Sequence, residues 1–192
     1  MSIFEHVSVF VSIILGLAVV HLLGGLSLML DTRVRTKIYW VHLMWTANML
    51  LLTTLVWLGN FVLAPVAVLS VGHFLNMIAY SMVIYLMSGL LFPVRGGEVT
   101  DFRHHFYANR QRFFSMGVLL VLTDAIDGLL EVRATDLPVD VGQFGTLAAY
   151  LLVFGIGIRS TSERFNRAAP IVFFLGLMGF LHSLVDTGVV TP

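Results

Sequence analysis

Cysteine is absent from this chain of 192 residues, and Asp, Glu, Lys and Arg together make up only 11% of it. Without cysteine there is no disulfide, no thiolate metal site, no iron–sulfur ligation and no thiol nucleophile. A domain that faces water on all sides typically carries about 25% charged residues, and this chain has less than half of that. Eleven basic residues balance eleven acidic ones, so the basic excess that nucleic-acid binding requires is missing as well. A soluble enzyme, a disordered tail and a secreted disulfide module are excluded by these shortages. What the chain has in abundance is apolar surface: 58% of it is hydrophobic, and the mean hydropathy is +0.92. It reads as an all-α, multi-pass integral membrane protein.

A bilayer-crossing helix needs about 20 apolar residues at a rise of about 1.5 Å each. Runs of that kind predict helices near 3–30, 38–63, 66–92, 111–133, 141–159 and 170–190, together one transmembrane domain over residues 1–192. The breaks between them are chemical ones: Asp31-Thr32-Arg33, Ala64-Pro65, Pro93 with Gly96-Gly97, Pro138, and Ser160 to Pro170. The first run is too long for a signal-peptide core and lacks a basic leader, so it is read as a retained helix.

The zero net charge conceals a sorting by place. Arg33, Arg35 and Lys37 lie in the first connection; Arg95, Arg103, Arg110 and Arg112 in the third; Arg159, Arg164 and Arg167 in the fifth. Ten of the eleven basic residues thus fall in odd-numbered connections, with Arg133 the exception. Cytoplasmic loops retain Lys and Arg, which predicts odd connections inside and both termini outside, as in a bacterial plasma membrane. Tyr39 and Trp40 suit an anchor at the inner interface.

Residues 99–112 are too polar to span. Phe102 and Phe106 one turn apart, with Arg103, Tyr107 and Arg110 on the polar side, predict an interfacial helix on the cytoplasmic face, capped by Thr100 or Asp101; a plain basic loop is the alternative. The chain then divides into three helices on either side of this segment, which permits a 3 + 3 inverted arrangement. Aligning helix one on helix four pairs Phe10 with Phe113, His21 with Asp124 and Gly25 with Gly128. Two apolar helices produce such matches by chance.

Lipid-facing positions need no polar groups, so the side on which each helix carries them is informative. At 100° per residue, His42, Thr46, Thr53, Trp57 and Asn60 share one face of helix two; His73, Asn76 and Tyr80 share one of helix three. Asp124, Asp127 and Glu131 share one of helix four, Gln143, Thr146 and Tyr150 one of helix five, and Gly179, His182 and Asp186 one of helix six. Helix one carries Ser8, Ser12 and Gly16, a small-residue ridge suited to helix packing and to a homo-oligomer. Interhelical hydrogen bonding accounts for the Ser, Thr, Asn and Gln positions. The ionisable residues are harder to explain so cheaply, because a carboxylate at mid-bilayer costs about 2.5–3.5 kcal/mol even on lenient scales.

Three functions follow as expectations. In the first, Asp124, Asp127, Asp186, Glu131, His182 and His73 form a carboxylate–histidine proton or cation site of a small channel or transporter-like protein. In the second, the chain is a membrane-embedded redox protein or enzyme. His6, His21, His42 and His73 then hold haem b, or the outer carboxylates hold a divalent metal. In the third, the chain is a scaffold or partner subunit with no chemistry of its own. The zinc-protease, phosphate-loop and nucleophile-elbow signatures are absent, so catalysis is not the leading expectation. The bilayer is the one partner implied directly, with nucleic acid excluded.

Overall fold

The computed structural model describes residues 3–31, 36–63, 70–93, 99, 101–135 and 141–186, without the side chains of 3–5, 60–63, 131, 133–135, 141 and 184–186. Six helices account for nearly all of it: α1 (Ile3–Leu30), α2 (Trp40–Leu63), α3 (Val71–Leu91), α4 (Phe102–Thr135), α5 (Val141–Arg159) and α6 (Glu163–Asp186). Each of the six is long and apolar enough to cross a membrane. The chain is a multi-pass, all-helical protein of the class its composition requires.

Helix ends follow local chemistry. Ser70 caps α3 through its hydroxyl, which accepts the His73 N–H. At the other end Phe92 is extended, as the residue before Pro93 is expected to be. Asp101 caps α4 by accepting the N–H groups of Arg103 (2.9 Å) and His104 (3.0 Å). The His104 and Arg103 amides hold its carboxyl below the usual carboxylate range, so the cap is ionised at neutral pH.

Two boundaries differ most from the sequence expectation, and α3, expected from 66, begins at Val71 after its cap Ser70. Residues 102–112 are the first turns of α4 rather than a separate helix lying on the membrane. No glycine or proline interrupts Phe102 to Met116, and Phe102, Phe106 and Arg110 are buried against the bundle instead of entering lipid. At 34 residues, α4 is about 51 Å long and outruns a hydrocarbon core of about 30 Å. Likewise α6 begins at Glu163 and carries Pro170 inside it, where a break at Pro170 was expected.

The packing places α2 centrally, against α1, α3, α4 and α6, with α3 between α1 and α4, and α5 between α4 and α6. The two halves pack differently. Helix α1 lies along α3, whereas α4 lies along α5 and reaches α6 through side chains such as Arg103 and Phe114. Residues matched by the half-to-half alignment have unlike surroundings: Phe10 is 47% exposed and Phe113 2%.

One end of the bundle gathers the starts of α2, α4 and α6 with the finishes of α1, α3 and α5, and carries Lys37, Arg103, Arg159 and Arg167. We call it the basic end. Here the Phe102 N–H donates to the Lys37 carbonyl (3.1 Å), tying the first connection to the start of α4. Next to it lies an aromatic core: Trp45 packs on Phe113 (5.0 Å between centroids), Phe173 (5.6 Å), Phe114 (5.8 Å) and Phe154 (6.0 Å). Edge-on and tilted ring contacts of this kind pack an interior densely.

Candidate functional site

In the half of the bundle away from the basic end, the polar faces of α3 and α4 meet. Asn76 is buried on α3, and its amide donates to the Thr123 carbonyl (3.0 Å) and to Asp127 Oδ1 (3.1 Å) on α4. Asp124 lies one turn back on the same face, close enough to Asp127 for their charges to interact. Tyr80 of α3 is within electrostatic reach of both carboxylates, and Tyr150 of α5 within reach of Asp124. Tyr150 is itself fixed: its hydroxyl donates to the Phe173 carbonyl (3.4 Å) and occupies the space that a side chain at Gly176 would fill. Three helices thus converge on two carboxylates, of which Asp127 accepts the Asn76 amide.

The remaining expected residues scatter. His73 is buried on the same α3 face as Asn76, but its Nδ1 is 3.0 Å from Ser70 Oγ, at the cap of its own helix. His182 and His6 are exposed. The side chains of Asp186, Glu131 and Asn60 lie outside the described residues. On α1, Ser8 and Ser12 are half-buried and Gly16 is exposed with open space beside it. The buried face of α1 runs instead through Val11, Leu15, Ala18 and Leu22 to Gly25, where the Phe92 ring fills the place of a side chain.

Compared with family models, with curated proteins and with solved structures, this chain matches none. Its function must be argued from its own residues.

The histidines expected nearer the basic end converge on one place. His21 of α1 brings Nε2 to 3.0 Å from the Phe92 carbonyl, and His42 of α2 brings Nε2 to 2.8 Å from the Leu91 carbonyl. His105 of α4 lies beside the carbonyls of Leu90 and Leu91. A carbonyl only accepts, so the Nε2 atoms of His21 and His42 carry protons and offer no lone pair to iron or another metal. Imidazoles from three helices therefore close the C-terminal end of α3, where helical carbonyls lack internal donors. Among the described residues, no three His, Asp or Glu side chains are placed to hold one metal ion.

Hydroxyl groups behave otherwise than the sequence suggested. Thr46, Thr53, Ser81, Ser88 and Thr123 donate to carbonyls three or four residues back in their own helices, which satisfies them without a partner helix. Bonds between helices come from the larger groups His21, His42, Asn76, Tyr150 and Asn48. Asn48, absent from the polar stripe of helix two, donates to the Pro170 carbonyl at 2.7 Å. Its position off the His42–Thr46 face gave no sign of this, because the sequence does not say where α6 lies.

Proposed function

We propose that this protein binds a proton or a small cation at Asp124 and Asp127, in a transporter-like membrane domain whose basic end faces the cytoplasm. The observation that carries this reading is the meeting of α3, α4 and α5 at two carboxylates one turn apart, with the Asn76 amide donating to Asp127. Residues three apart on a helix are about 5–6 Å apart at Cβ. Two negative charges at that spacing, away from bulk water, repel each other strongly. A proton or a cation between them removes the repulsion, and Tyr80 is within electrostatic reach of both. The aromatic core toward the basic end favours an occluded site reached from the opposite half over an open pore.

The test is flux into liposomes containing the purified protein, under proton, sodium and potassium gradients. Wild type is expected to conduct above empty liposomes. Asp127→Asn preserves shape and the approach of Asn76, removes the charge and is expected to lower the rate at least tenfold, with Asp124→Asn acting in the same direction. Flux from neither protein nor gradient, or a double variant as active as wild type, overturns the reading.

A further inference from the structure

Among the described residues, the basic end holds a buried charge that no acid is seen to neutralise. Arg110 lies eight residues into α4 with 9% of its surface exposed, and its Nη1 has no hydrogen-bond partner. A guanidinium stays charged at every accessible pH, and leaving such a charge buried and unpaired is costly. Two of the acids described at this end are engaged elsewhere. Asp101 caps α4, and Glu163 is bracketed by Arg103 at 3.3 Å and Arg167 at 2.8 Å. Asp31 closes α1, a helix that packs on α2 and α3.

Helical phase and two contacts say where Arg110 points. Arg103, Tyr107, Arg110 and Phe114 fall within about 60° of one another on α4. Arg103 reaches Glu163 at the start of α6, and Phe114 packs on Phe165 of α6 at 6.3 Å. Arg110, between them, looks toward the same junction. There Asn166 is fully buried, its amide committed to the Ser160 and Ser162 carbonyls and its Oδ1 unpartnered. Above the junction a cleft opens, lined by Asp101, Arg103, His104, Tyr107, Thr161 and Glu163. Burial raises the nearby Tyr39 phenol above its ordinary range, so it too remains a donor.

We propose that this junction binds a phosphate-bearing anion, either the headgroup of an anionic phospholipid or a free phosphate, admitted by the cleft and anchored by Arg110. A guanidinium offers two parallel N–H groups to phosphate oxygens, the geometry in which Arg binds such anions best. Arg103, Tyr107 and Thr161 supply charge and hydroxyl donors at the mouth, and Asn166 Oδ1 accepts from a phosphate or headgroup hydroxyl. Arg110 lies about 12 Å from the start of a helix that overruns the hydrocarbon core by about 20 Å, which is the depth of lipid headgroups.

The test is binding to the detergent-purified protein, followed by native mass spectrometry and by thermal shift. Separate arms add phosphatidylglycerol, phosphatidylcholine, inorganic phosphate, and chloride at matched ionic strength. Phosphatidylglycerol is expected to bind at least tenfold more tightly than phosphatidylcholine, or phosphate to stabilise where chloride does not; which arm responds identifies the source. Arg110→Met is expected to weaken that binding about tenfold or more, while melting no lower than wild type in the absence of anion. Should Arg110→Met fail to fold, Arg103→Gln, at an exposed position, is expected to weaken binding several-fold. Equal binding by a folded Arg110→Met or by Arg103→Gln, or no preference in either arm, overturns the proposal.

Discussion

Pro170 sits seven residues into α6 and deletes the N–H that the Asn166 carbonyl would otherwise accept, a change that in a helix interior costs about 3 kcal/mol or more. Two amides brace this stretch. Asn166 ties its side chain to the Ser160 and Ser162 carbonyls ahead of the first turn, and Asn48 crosses from α2 to the Pro170 carbonyl. Asn48 is fully buried, so the bond has no water to compete with it. Asn48→Ala is expected to lower stability by about 1–2 kcal/mol. Asn48→Asp is expected to cost more, because two acceptor oxygens would then face a carbonyl. Unfolding in mixed micelles by titration with a denaturing detergent measures both, and an Ala variant as stable as wild type would show that the bond contributes nothing. The sequence marks Pro170 as a break because proline alone is visible there; the amide that tolerates it comes from residues more than a hundred positions away.

At the scale of helices, α4 and α5 lock by exchange. The Phe114 ring of α4 fills the space beside Gly157 of α5, and the Phe154 ring of α5 fills the space beside Gly117 of α4. Each helix therefore offers one ring and, three residues on, one gap, and antiparallel packing brings ring to gap twice. Gly157→Ala places a Cβ where Phe114 lies and is expected to cost about 1–3 kcal/mol by overpacking. Adding Phe114→Leu should recover part of that loss, and a fully additive double variant would argue against direct contact. Helix existence was legible because the apolar runs are long: 3–30 and 141–159 are the spans of α1 and α5. The start of α4 was not, because Arg103 to Arg112 are polar in composition while one face of that stretch is buried. Of the candidate site, the carboxylate face of α4 and the His73–Asn76–Tyr80 face of α3 were legible from phase alone. That these two faces meet, and that His21 and His42 turn instead to the end of α3, depends on which helices are neighbours, and periodicity does not encode that.

For the whole molecule, backbone and side-chain contacts establish the two ends of the bundle, and they sort the charges as the sequence does. Lys37 meets the start of α4, and Arg103 meets the start of α6, so the basic connections lie together at one end. At the other end Gly128 of α4 lies against Gln143 and Phe144 of α5, and Gly72 of α3 against Leu130. Under the proposed reading, retention of Lys and Arg on the cytoplasmic side would orient the entire bundle, and with it the leaflet that the Arg110 junction meets. A chain without cysteine is a clean background for testing this. Gly142 and Thr161 are both exposed, one at each end. A membrane-impermeant maleimide applied to intact cells is expected to label Gly142→Cys, and to label Thr161→Cys only after permeabilisation. The reverse pattern would place the basic end outside and give Asp124 and Asp127 access from the cytoplasm instead. Equal labelling of both before permeabilisation would mean that the two ends are not separated by a membrane, which would contradict the spanning of the bilayer itself.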